Sequence, residues 1–435
     1  MDPEYAGPAR TATRAPMPQL GRNARLLLAF ALVNGAATAA VGALVNPYLR
    51  DLGMSAAFIG AYFGITSVVQ GVAQLAGGVA ADRWGRRRVW VTGKLLHTAS
   101  YALLASGLRG PALIASAVLA GLSQIGSGAY MATTAEAVEG GSRATFYSVV
   151  QTITSVGGMV APLAGGLIAD RYGGATGLAA SLPFFLLVAF ILSKLEERPR
   201  PSAAGEASAG RRGAARGAGA AKIAGAFVKA VMSGPFPRTA MAMLGYMVFN
   251  GLSNGLIGIS LPLLLRDRFG AGYAGISGLS TVSALGTALM MIAGGRLADR
   301  YGRRRVMLAS CVWVTSLFLL IPLATSTLHF YVLVFMVCLV GNAAGGAFSA
   351  TMMECVNPDA RATFGGLSNA LASAGMAAGN FAGGLLYQAG QLAPFYLAMA
   401  VTAASTAILF GFLQETGDGR AAAKAVAAGA YTAGR

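Results

Sequence analysis

The residues best equipped for chemistry in this chain are ions at matched spacings. Asp82-Arg83-Trp84-Gly85-Arg86-Arg87-Arg88-Val89 returns 217 positions later as Asp299-Arg300-Tyr301-Gly302-Arg303-Arg304-Arg305-Val306, with seven of eight residues identical. Glu136 and Arg143 are separated by six residues, as are Glu354 and Arg361. An acid at a helix end can face the positive end of a neighbouring helix or pair with an arginine. Gly85 and Gly302 permit the sharp turn of a short connection. These sets suit ionic fastening, not bond making. His97 and His329 lie in different halves, and Cys311, Cys338 and Cys355 are scattered. They form no catalytic cluster, disulfide framework or metal spacing. No Gly-x4-Gly-Lys-Ser/Thr loop is present, so neither ATP hydrolysis nor a cofactor is expected. The chain does not read as an enzyme.

The elements carrying these ions are apolar. Hydrophobic residues make up 55% of the chain and charged ones only 11%, against about 25% in a soluble protein. Twelve apolar segments are predicted, at 25–49, 56–80, 89–107, 111–135, 144–169, 175–195, 239–265, 272–298, 306–326, 329–353, 362–388 and 393–413. Each is near the roughly 20 residues that cross a bilayer as helix. The first follows a polar tail and is too long for a cleaved signal peptide. The net charge of +17 invites a nucleic-acid reading, but its distribution excludes one. With a cytoplasmic N-terminus, alternating segments put 28 of the 33 Lys and Arg on the cytoplasmic side. That bias sets topology. The expectation is an integral protein of the plasma (inner) membrane with both termini cytoplasmic, in contact with lipid, acting as a monomer.

Residues 1–24 then form an N-terminal tail, 25–195 a six-helix bundle, 196–238 a linker, 239–414 a second bundle and 415–435 a C-terminal tail. Within the linker, Ile223, Phe227, Val228 and Val231 share one helical face, which suits an interfacial helix. The repeat runs through both bundles. Asn34-Gly35 and Arg50-Asp51 match Asn250-Gly251 and Arg266-Asp267 at an offset of 216. Gly157, Gly165 and Gly166 match Gly375, Gly383 and Gly384 at 218. Six crossings per copy leave the two bundles parallel.

Twelve spans in two sixes, a basic middle loop, and G-x-x-x-D-R-x-G-R-R after the second helix of each half resemble the major facilitator superfamily over about residues 22–415. The resemblance implies an all-α membrane fold of two six-helix bundles that rock about a central site. It also implies an inner latch: Asp82, Arg83, Arg86, Asp299, Arg300 and Arg303 hold the halves together in the outward-facing state. Glu136, Arg143, Glu354 and Arg361 resemble the charge relay of sugar-porter members, which completes that latch. The string Gly157-x3-Ala161-Pro162-x2-Gly165-Gly166 resembles an antiporter motif, with Ala161 in place of the second glycine. Small-residue packing explains it equally well. Gly126-x-Gly128 is present without the arginine that proton antiporters place ahead of it; Leu122 stands there.

Polar side chains in a bilayer must face the protein interior or a water-filled path. Here they fall into helical stripes. Asn34, Gln70, Gln124, Ser127, Tyr130, Gln151, Ser155, Asn250, Asn254, Asn342, Asn369 and Ser373 are the substrate-path candidates. Tyr62, Phe63, Tyr130, Tyr246 and Phe249 could suit an amphipathic compound. No Asp or Glu lies at mid-membrane. Lys94, a turn from the cytoplasm, is expected to snorkel outward, and His97 to be a packing residue. The path therefore reads as uncharged, fit for small uncharged or weakly charged molecules. Efflux of amphipathic compounds is the first expectation and uptake of a sugar-like solute the second. The remaining alternative is a membrane sensor that has lost transport.

Overall fold

The computed structural model describes residues 21–137, 143–196, 234–357 and 361–414, apart from a few side chains inside helices. The interfacial-helix segment, the C-terminal tail and residues 1–20 of the N-terminal tail lie outside the described residues, and the rest of that tail enters α1. Among the described residues there are twelve helical spans. In the first half they are α1 (Arg22–Asp51), α2 (Ala56–Trp84), α3 (Arg86–Ala105), α4 (Pro111–Leu122 and Ser127–Glu136, joined by a 3-10 turn Ser123–Gly126), α5 (Arg143–Tyr172) and α6 (Gly174–Ala179 and Leu182–Ser193). The second half holds α7 (Pro237–Phe269), α8 (Tyr273–Tyr301), α9 (Arg303–Leu320, ending in a 3-10 turn Ile321–Leu323), α10 (Thr327–Ala343 and Gly345–Glu354), α11 (Arg361–Ala389) and α12 (Ala393–Phe412). Among the described residues, nine of these are long and apolar enough to cross a membrane by length and composition. The other three, α3, α8 and α11, are diluted by basic residues or by Gly, Ala and Ser.

Sequence explains the boundaries. Gly85 and Gly302 have φ of 91° and 89°, which side chains with a Cβ resist, so the α2–α3 and α8–α9 turns are equally tight. Ser55 and Ser326 cap α2 and α10 by accepting from Phe58 and His329 N–H. Large apolar side chains cover the outer surface: Val160 is 73% exposed and Phe410 67%. In water such a surface would be unstable; against acyl chains it is satisfied.

Small residues let backbones meet. A Cβ at Gly35 would lie 2.2 Å from the Thr154 carbonyl oxygen, and one at Gly251 2.1 Å from that of Ala372. Only glycine permits these α1–α5 and α7–α11 approaches. The halves meet where α2 crosses α11 and where α5 crosses α8.

The core shows where the halves part. At the end carrying Asp51 and Asp267, one apolar cluster spans both halves and includes Leu44, Tyr48, Ile59, Leu263, Tyr273 and Phe395. Toward the basic loops it divides. One cluster, with Leu27, Phe30 and Trp90, belongs to the first half; the other, with Met243, Met307 and Leu409, belongs to the second.

Candidate functional site

At the shared end the halves are clasped. Arg266 pairs with Asp51 and donates to the Pro47 carbonyl at 3.0 Å. Arg50 reaches Asp267 at 3.4 Å. The Tyr273 hydroxyl donates to Asp51, and the Tyr387 hydroxyl to Asp267 at 3.2 Å. Asp170 on α5 accepts the Tyr273 and Ala274 N–H groups at 2.7 and 2.9 Å. It so caps α8 of the opposite half, where a negative charge is favoured. Asn380 donates to the Phe63 carbonyl at 3.2 Å and Ser67 Oγ at 3.0 Å. Asn46 donates to the Ile259 carbonyl at 3.1 Å. Farther along α8, Thr281 Oγ1 donates to the Met159 carbonyl of α5 at 2.8 Å, a further bond between the halves. Sequence reading took Arg50-Asp51 and Arg266-Asp267 as marks of register alone. Their reciprocal charge order, Arg-Asp facing Arg-Asp, was the signal that could have found the clasp.

At the opposite end the expected latch is described only in part. Arg303 Nη1 meets Glu354 Oε2 at 2.5 Å, joining the start of α9 to the end of α10. This pair lies within one half. Arg83 is exposed and Arg86 half-buried. The side chains of Asp82, Glu136, Arg143, Asp299, Arg300 and Arg361 lie outside the described set.

The substrate-path candidates separate into two groups. In the second half, a cavity of about 450 Å³ is lined by Asn250, Asn254 and Asn342 together with Tyr246, Cys311 and Phe348. Asn250 Nδ2 donates to the Tyr246 hydroxyl at 3.2 Å, and Asn254 Nδ2 to Asn250 Oδ1 at 3.0 Å. Asn342 donates to Thr287 Oγ1 at 3.1 Å and the Cys338 carbonyl at 2.8 Å. Tyr246 and Phe348 stack at 4.6 Å. The cavity is polar without carrying a fixed charge. Ser373 instead is buried at the α2–α11 crossing, near Gly71, and Asn369 is exposed outside this cavity.

The first half differs, and here the expectation for Lys94 is corrected. Lys94 does not run back to the basic loop. Its Nζ donates to Asn34 Oδ1 at 2.7 Å, across the bundle from α3 to α1. It also lies 5.7 Å from the centre of the Phe30 ring. The interior acceptor and the ring outcompete the snorkelling route because Asn34 sits level with Lys94 on the facing helix. A charge therefore does stand among the spanning helices, contrary to the uncharged path read from sequence. Around it, Phe30, Trp90 and Tyr130 pack with centroids 4.8 to 5.9 Å apart. The Tyr130 hydroxyl donates to Gln151 Oε1 at 3.2 Å. Ser155 bonds back to the Gln151 carbonyl of its own helix at 3.0 Å, as hydroxyls in helices commonly do. Gln70, Gln124 and Ser127 are half-buried and make no hydrogen bond among the described residues. Farther along, His97 Nε2 meets the Tyr101 hydroxyl at 3.1 Å and packs on Phe185. Tyr62 is tied to Ser116 Oγ at 3.0 Å. Cys311 and Cys355 are buried and Cys338 half-buried, all three as free thiols.

A family model described as Major Facilitator Superfamily matches residues 26–249 and 243–430. Two tetracycline resistance proteins of Escherichia coli are similar in sequence. The class E protein is 28% identical over 182 residues, 41% of this chain and 44% of its own length. The class C protein is 32% identical over 179 residues, 40% and 44% respectively. The chain thus spans less than half the length of the curated relatives it matches. Among solved structures, the nucleoside transporter NupG aligns with a TM-score of 0.70 at 12% identity, over 90% of this chain and 100% of that one. A POT family transporter in complex with 5-aminolevulinic acid aligns with a TM-score of 0.72 at 11% identity, over 91% and 98%. At such identities the likeness concerns the fold alone.

Proposed function

The chain belongs to the Major Facilitator Superfamily and is a membrane transporter; we propose that it exports small amphipathic organic molecules by alternating access. The carrying observation is the shared core and ionic clasp at one end, set against two separate cores at the other. With both termini and the basic loops on the cytoplasmic side, this arrangement is the inward-facing state, closed outward and ready to take up a cytoplasmic compound. The cavity lined by Asn250, Asn254, Asn342 and Tyr246 offers amide and hydroxyl groups beside apolar walls, the mixture that holds amphipathic ligands. Outward movement draws support from the tetracycline resistance proteins among its relatives. In this reading Arg303 and Glu354 are pre-positioned halves of the inner latch, which the first-half ions complete when the cytoplasmic end closes.

The test is accumulation. Cells producing the chain should retain less tetracycline, and less of a fluorescent amphiphile, than cells carrying an empty vector. Freezing the clasp with a disulfide between Cys-substituted Arg50 and Asp267 in a cysteine-free background should abolish the difference, and reduction should restore it. Equal retention in producing and empty cells would end the export reading. A solute that enters faster in producing cells would favour uptake instead.

A further inference from the structure

We propose that the first half holds the carboxylate of an amphipathic organic anion at Lys94, with Asn34 beside it. This rests on the transport reading and names its substrate class. Lys94 is the ninth residue of α3, about 12 Å along the helix from its start at 1.5 Å per residue. An ammonium at that depth is costly and is retained where it is used. Its hydrogen bonding is incomplete. An ammonium has three N–H donors, and Asn34 Oδ1 takes one. Among the described residues no other atom accepts from Nζ, and no Asp or Glu pairs with it. The Phe30 ring, 5.7 Å away, offers a cation–π contact but no lone pair. Among the described residues, two donors and one positive charge therefore lack an anionic partner. A lysine wanted only for packing would be better replaced by methionine of similar length, which brings no desolvation cost.

The surroundings say which kind of anion. Phe30, Trp90 and Tyr130 supply ring faces, and Gln151 a polar tip behind Tyr130. A small inorganic ion gains nothing from rings; an aryl or alkyl carboxylate uses both the ammonium and the apolar wall. The other half explains the orientation. The residue matching Lys94 at the repeat offset is Cys311, on the wall of the uncharged cavity. The ligand's carboxylate is thus assigned to the first half, against its rings.

The experiment is equilibrium binding to the purified full chain in phosphatidylcholine nanodiscs, with 2-naphthoate and its neutral analogue 2-naphthamide as probes. The wild-type chain should hold the carboxylate at least about tenfold tighter than the amide. Lys94→Met should erase that preference while leaving amide affinity and thermal midpoint near wild type. Lys94→Arg should keep it. If the Met variant misfolds, Lys94→Gln, which retains donors without charge, should erase the preference as well. Equal affinity for both probes, binding of neither, or a preference that survives loss of Lys94 each overturns the subsite. Adding phosphatidylglycerol should leave naphthoate affinity unchanged; competition by it would assign the site to a lipid headgroup and overturn the substrate assignment. A chain that binds naphthoate through Lys94 yet fails the accumulation assay would sink export and leave the subsite standing.

Discussion

In the first half, Phe30, Asn34, Lys94 and Tyr130 form a charged contact lined by rings. In the second, the residues matched at offsets of 216 to 218 are Tyr246, Asn250, Cys311 and Phe348, and they border an open cavity. The frames agree. Each has an asparagine on the first helix of its half, with an aromatic residue one turn earlier and another on the fourth helix. The decisive difference is one position on the third helix. Lys94 is long and charged, so it spans the bundle and takes Asn34 for itself. Cys311 is short and neutral, so Asn250 turns to Tyr246 and space remains. Duplication supplied two identical scaffolds; a single divergent side chain gave them different electrostatics.

The strongest way to break this comparison is to copy the charge across. Cys311→Lys places an uncompensated ammonium in the neutral cavity, at an expected cost of about 3–5 kcal/mol. Thermal midpoint should fall, and tetracycline retention should rise to the empty-vector value. A variant as stable and active as wild type would mean the cavity is fully hydrated and the contrast empty. Next come the two asparagines. Asn34→Ala strips an acceptor from a charged donor and should destabilise by about 2 kcal/mol. Asn342→Ala, which removes two neutral bonds, should cost about 1 kcal/mol. Scanning fluorimetry that ranks them the other way round would show that Lys94 does not depend on Asn34.

The clasp tests the same asymmetry more gently. Asp51 accepts from Arg266 and Tyr273, whereas Asp267 has the longer Arg50 contact and Tyr387. Asp51→Asn should lower the midpoint by the equivalent of about 1 kcal/mol and Asp267→Asn by less. High salt should shrink both effects, since the pairs are partly exposed; salt-independent values would point to a buried cause. The smallest effect belongs to Arg303→Ala, worth about 0.5 kcal/mol in stability at the half-exposed Glu354 pair. Transport rate should suffer more than stability there. Unchanged turnover would remove Arg303 from the proposed latch.

Much of the architecture could be read from residue order. Twelve apolar runs and two copies of one basic string fix the spans and their pairing in parallel sixes. Gly157 and Gly375 announce close helix approach without revealing the partner; the structure supplies α1 and α7. Asn250, Asn254 and Asn342 were recognisable because amides on one face of an apolar helix need a polar neighbour. Lys94 was misread for a physical reason. Its depth along α3 is visible in sequence, but the choice between water behind it and Asn34 across from it depends on helix rotation, which periodicity in so apolar a helix does not set. Nothing in the sequence marks Cys311, because smallness at a cavity wall and smallness in a core look the same in one dimension. The clasp was missed because its four ions stand at loop ends, where charge is ordinary.

The interruption of α4 at Ser123–Gly126 recurs in α10 at Ala344, the residue matching Gly126 at the repeat offset. Where a helix slackens in this way, its inner section can swivel while the remainder stays put. Two such elbows at matched places would let the mouth on the basic side narrow before the opposite seal has let go. Backbone amides at 123–128 and 344–346 should then trade hydrogen for deuterium sooner than those one turn away on either side.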